Sequence, residues 1–124
     1  MAPSAILVDD TDNPWKDEVA TIMGRHGFRV ARIQDLALAP YLLMSGGTTA
    51  LILEGRRLGA RDLLVLDKVR RLAPSTAIVV VTLAATEAEL NHAFDQGATM
   101  FVSWPTAEAT FLELLQQLDH GDGQ

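Results

Sequence analysis

The sequence predicts an α/β fold, a doubly wound three-layer sandwich with a parallel sheet and right-handed crossovers. Three observations carry this expectation. Short, continuously apolar runs at Ala5 to Val8, Ala50 to Leu53, Ile78 to Val81 and Met100 to Val102, with Phe28 to Ala31 as a fifth, have the character of strands buried on both faces. Helical patterns lie between them. The alternation repeats five times within 124 residues, about the shortest chain that permits it. With 48% hydrophobic residues and no internal repeat, the chain can build one core and little more. The expected organisation is a single domain over residues 1–119, followed at 120–124 by a polar tail or truncated linker.

Taken in order, the first strand is "AILV". Asn13 then reads as a helix cap and Pro14 as the first helical position, ahead of Trp15, Val19, Ile22 and Met23 on one face and a stop at Gly24 and Gly27. The connection from Asp35 to Ser45 is less regular, because Pro40 falls inside it and delays or kinks a helix. Asp62 to Leu72 places Leu63, Leu66 and Val69 on one side and arginines on the other, with Pro74 closing the segment. Thr86 and Glu89 form a capping box before Leu90, Ala93 and Phe94, and Gly97 ends that helix. Thr106 is expected to cap a last helix carrying Phe111, Leu114, Leu115 and Leu118.

Composition narrows the function. The chain has no cysteine, which excludes disulfides, thiolate metal sites and thiol catalysis and fits a reducing compartment. No apolar run is long enough for a membrane span, and two aspartates interrupt the first apolar stretch where a signal peptide would continue, so a soluble, cytoplasmic protein is expected. The net charge is −6, and no Lys or Arg occurs from Leu72 onward, which argues against nucleic-acid binding through that half. Basic residues crowd Arg56 to Arg71, as a solvated helix face or as a patch for an acidic partner. His26, His92 and His120 are too scattered for a metal site.

In folds of this class, sites collect where the strands end. Asp9 and Asp10 end the first strand, Glu54 the third, Thr82 the fourth, and Ser103 with Trp104 the fifth. Converging carboxylates at Asp9, Asp10 and Glu54 offer the oxygen ligands of a hard divalent cation, whereas at strand ends they also serve simply to cap the following helix. A flavodoxin-like binder of small anions fits poorly, because "DDTDNPW" puts acid where anion-binding backbone is needed.

In order and spacing, "ILVDD", "GFRV", "LILE", "VVVT", "DQGA" and "FVSWP" together resemble the receiver domain of bacterial two-component response regulators over nearly the whole chain. The resemblance implies a flavodoxin-like (βα)5 sandwich with sheet order 2-1-3-4-5. It also implies a magnesium ion held by an acidic pair, here Asp9 and Asp10, a phospho-accepting aspartate, a hydroxyl and aromatic switch, here Thr82 and Phe101, and a lysine that binds phosphoryl oxygens. Glu54 stands at the acceptor position and Trp104 at the lysine position. Glu is longer by one methylene, and in-line transfer suffers heavily from displacements of about 1 Å. An indole with a single N–H does not replace an ammonium.

These two substitutions lead to the expectation of a pseudo-receiver, a phosphorylation-independent signalling module that is not an enzyme and requires no cofactor. The alternative is a magnesium-dependent receiver with residual phosphorylation at Glu54 or Asp10, its metal held by Asp9, Asp10 and Glu54. Like-charge repulsion among the carboxylates calls for compensation: magnesium, a side chain such as Lys16, Arg56 or Arg57, or a retained proton. An arginine, Arg56 or Arg57, folding back over the rim is the expectation. Glu54 either holds Thr82 inward and locks an active state or does nothing. Trp104 either fills the vacated pocket or stands as an exposed anchor. The resemblance places a protein partner or homodimer on the face of the fourth helix, fifth strand and fifth helix, residues 86–118. That face has no basic residue, so a basic partner is expected, with no nucleic acid bound through this domain and no membrane.

Overall fold

A computed structural model describes residues 3–9, 14–55 and 59–121. Five strands, β1 (Ser4–Val8), β2 (Arg29–Ile33), β3 (Thr48–Glu54), β4 (Ala77–Leu83) and β5 (Met100–Trp104), form one parallel sheet of order β2-β1-β3-β4-β5. Among the described residues five α-helices connect or follow them: α1 (Trp15–Arg25), α2 (Ala39–Leu43), α3 (Ala60–Leu72), α4 (Glu87–Asp95) and α5 (Glu108–Gly121). This is the flavodoxin-like (βα)5 sandwich that the sequence predicts.

Strand alternation divides the core into two layers. Leu7, Ile52, Val79, Val81 and Val102 pack with Trp15, Val19 and Met23 of α1 and Phe111 and Leu115 of α5. The intervening Ile6, Val8, Leu51, Leu53, Ile78 and Val80 pack with Leu43, Leu66, Val69 and Ala93 of α2, α3 and α4. The middle of each central strand, Ala5–Val8, Ala50–Leu53 and Ala77–Val81, is therefore apolar at every position, since both faces are covered.

Several boundaries differ from the sequence expectation. β2 begins at Arg29, because Phe28 packs into the α1–α5 layer instead of pairing. The helix around Pro40 is delayed, as expected: a 3-10 turn over Leu36–Leu38, capped by Asp35 accepting the Ala37 N–H at 3.0 Å, comes first, and Pro40 then sits in the opening turn of α2, where a missing N–H leaves no bond unmade. Thr106 is not the α5 cap, because the Phe111 N–H bonds the Ala107 carbonyl at 3.0 Å and the helix begins at Glu108. That helix runs to Gly121, two residues into the stretch expected as tail. Asn13 lies outside the described residues, and Pro14 occupies the cap of α1. The α4 capping box is present, with the Thr86 N–H donating to Glu89 at 3.0 Å and the Glu89 N–H to Thr86 Oγ1 at 3.2 Å.

Candidate functional site

The C-terminal ends of β1, β3, β4 and β5 lie together on one rim, as parallel pairing requires. β3 continues one residue beyond its apolar run, so Glu54 is a paired strand residue opposite Val81 and only 6% exposed. Alternation turns it toward the α1 side with Ala50 and Ile52. Trp15, the first residue of α1, donates its Nε1–H to Glu54 Oε2 at 2.8 Å. A carboxylate ending a buried strand thus has a charge-directed hydrogen bond waiting for it.

Asp9 follows β1, its backbone N–H bonded to the Ile33 carbonyl at 2.7 Å. Arg32 of β2 donates to Asp9 Oδ2 through Nε at 3.0 Å and Nη2 at 2.7 Å, and its Nη1 reaches Asp17 Oδ1 at 2.8 Å. The Asp17 hydrogen bond, ahead of that from Asp9, holds the Arg32 guanidinium pKa above its ordinary value, against a smaller lowering by burial. On the other side of Asp9, Lys16 Nζ lies 3.9 Å from Oδ1 and 5.8 Å from the Trp15 ring centroid, with no exposed surface. Asp10, Arg56 and Arg57 lie outside the described residues, so the expected arginine fold-back concerns groups beyond them. Among the described residues the charge compensation comes from Lys16, which the sequence offered as a candidate, and from Arg32, which it did not.

Thr82 is buried and faces the opposite layer. A Cβ on Gly55 would collide with Thr82 Oγ1 and Val80 Cγ1, so the chain after Glu54 passes flush against β4 only because residue 55 is glycine. Thr82 and Phe101 line a cavity of about 350 Å³ with Gly55, Ala88, His92 and Ala93. Glu54 therefore reaches α1, while Thr82 and Phe101 meet α4. Trp104 fills space: it is 4% exposed, packs edge-to-face on Phe111 with centroids 5.7 Å apart at 87°, and donates Nε1–H to Glu18 Oε2 at 3.2 Å.

The carboxylates of the rim are oxygen donors of the type that a hard divalent cation takes. Asp9 and Glu54 would hold it, and magnesium needs only one or two carboxylates with water. Against this, Lys16 and Arg32 already engage Asp9, and no group of three His, Cys, Asp or Glu suited to a metal occurs among the described residues.

No protein-family model matches the sequence, and no curated protein matches it. Solved structures match the fold. A putative response regulator from Chloroflexus aurantiacus is 18% identical with TM-score 0.80, over 95% of this chain and 98% of that one. The receiver domain of a sensor histidine kinase from Pseudomonas aeruginosa, with magnesium ion coordinated in the active site cleft, is 20% identical with TM-score 0.75, over 95% and 98%. NtrX from Brucella abortus in complex with ADP is 19% identical with TM-score 0.76, over 95% of this chain and 26% of that longer one. The chain therefore has the receiver-domain fold. These structures correct one expectation, that such a domain is not an enzyme: a domain of this fold carries magnesium in an active site cleft, and NtrX, of which this chain matches 26%, occurs in complexes with ADP and ATP.

Proposed function

We propose that this chain is a receiver-like signalling domain of a two-component-type pathway. In this reading it is a cytoplasmic unit over residues 1–119 whose acidic rim accepts a phosphoryl group slowly, with magnesium, at Asp10 or Glu54. The observation that carries the reading is the juxtaposition of Asp9, Lys16 and Glu54 at the C-terminal rim of a 2-1-3-4-5 parallel sheet. Magnesium in the cleft of the Pseudomonas domain supports it.

In this reading Glu54 and Trp104 are substitutions at the acceptor and lysine positions, and both slow the reaction. Asp9 and Glu54 would hold magnesium, which when bound would supply charge neutralisation for the phosphoryl oxygens. A carboxylate oxygen of Glu54 or Asp10 attacks phosphorus, the bond to the donor oxygen breaks, and the donor leaves with the electron pair, forming an acyl phosphate. Glu54 is a poor nucleophile because Trp15 already donates to it and because its extra methylene displaces it from the in-line position. Output runs through the face of α4, β5 and α5, residues 86–118, to a basic protein surface or a second copy. Its acidic Glu87, Asp95 and Glu108 and the half-exposed Phe94 suit such a contact.

A second reading, phosphorylation-independent signalling, is favoured by the Trp15–Glu54 hydrogen bond, which satisfies the acceptor position without a phosphoryl group. Intact mass after incubation with acetyl phosphate and magnesium separates the two. The first reading requires a species heavier by one phosphoryl group that disappears in Glu54→Gln or Asp10→Asn. An unmodified protein under all conditions selects the second.

A further inference from the structure

Lys16 is the only buried basic side chain among the described residues, and it is wholly out of solvent. A lysine so placed needs negative charge at hand, because removing an ammonium from water is costly. Here Asp9 Oδ1 lies 3.9 Å from its nitrogen and the Trp15 ring 5.8 Å away. Adjacent residues of one helical turn divide the work: Trp15 donates to Glu54, and Lys16 faces Asp9. Arg32 holds the far oxygen of Asp9 from the neighbouring strand and is tied in turn to Asp17.

Resting on the reading of this rim as a receiver-like site, we propose that Lys16 is its resident cation. The ammonium supplies beside Asp9 the positive charge that a divalent ion would bring, and it sets how weakly magnesium binds there. The family's lysine position, Trp104, is closed by packing against Phe111, so the cation of this site enters from the start of α1 instead of from the end of β5. Asp9 already carries the Arg32 guanidinium on its other oxygen, so a divalent ion beside it would meet the buried Lys16 ammonium as a further positive centre, and magnesium entry requires Lys16 to withdraw. The same ammonium keeps the acidic corner neutralised, and hence folded, when magnesium is absent.

Magnesium titration of the intact protein tests this. The chain's two tryptophans both lie at this rim, so intrinsic fluorescence reports binding without any phosphodonor. Lys16→Met, which keeps the length and removes the charge, is expected to bind magnesium about tenfold or more tightly than the parent, while Lys16→Arg stays near it. Lys16→Met binding no more tightly than the parent, or Lys16→Arg tightening as much as Lys16→Met, overturns the proposal. Should Lys16→Met unfold in magnesium-free buffer, magnesium must restore its circular dichroism, and failure to do so equally overturns it. A chain that never takes up phosphoryl from acetyl phosphate would remove the catalytic reading and leave this result untouched.

Discussion

Glu54 can end a buried strand because its partner is built into the next layer. The indole of Trp15 is held by its apolar surface in the α1–α5 core and offers its single N–H to the carboxylate. Removing that donor while leaving the acceptor buried costs about 1–3 kcal/mol. Trp15→Phe, which keeps most of the ring, is therefore expected to lower unfolding free energy by up to about that amount, measured by urea denaturation followed by circular dichroism. Glu54→Gln retains an oxygen that accepts the same bond and is expected to cost less than Trp15→Phe. A Trp15→Phe protein as stable as its parent would show that the bond contributes nothing. Arg32 behaves differently with pH. Its pKa is raised in the folded state, by Asp17 first, so its stabilising contribution is fully present below the unfolded value and is lost only above it. Between pH 5 and 9 this guanidinium link is expected to be pH-independent, checked by the chemical shift of Arg32 Nε–H across that range.

At the level of elements, most of the fold is legible in the sequence because the central strands β1, β3 and β4 have apolar cores on both faces and most breaks carry turn or capping chemistry. The Thr86–Glu89 box was readable from two residues, and the structure has both of its bonds. Thr86→Ala is expected to lower stability by about 0.5–2 kcal/mol and to raise amide exchange in the first turn of α4, seen by hydrogen exchange with fragment-resolved mass spectrometry. The rim was only partly legible. Asp9, Glu54, Thr82 and Trp104 could be placed there because strand ends are readable, but the direction of each side chain depends on parity, which puts Glu54 and Thr82 on opposite faces. Lys16 was readable as a nearby charge but not as a buried one, since a lysine in the first turn of a helix ordinarily lies in water. Arg32 was hidden because its approach to Asp9 comes from β2 lying beside β1, a consequence of sheet order and not of any local pattern.

For the molecule as a whole, these contacts make α1 a part of the site. Trp15, Lys16, Asp17 and Glu18 all point at groups from other elements: Glu54 on β3, Asp9 after β1, Arg32 on β2 and Trp104 on β5. The start of α1 thus joins four strands at the rim, whereas the far end of the helix is held at the surface by an exposed Arg25–Glu108 pair at 3.3 Å. Exposed pairs of that kind contribute about 0–1 kcal/mol and weaken with salt. Arg32 is the residue through which edge strand β2 enters this assembly, because it bonds Asp9 and Asp17 at once. Arg32→Ala should therefore act regionally. Amide exchange is expected to rise in β2 and in the first two turns of α1, while β4 and β5, at the other side of the sheet, keep the protection of the parent. Arg25→Ala, which removes a single exposed pair, should leave the α1 N-terminal turns unchanged. Uniform loss of protection across all five strands in Arg32→Ala would mean that the residue supports global stability only, and that the rim is not a separately tied unit.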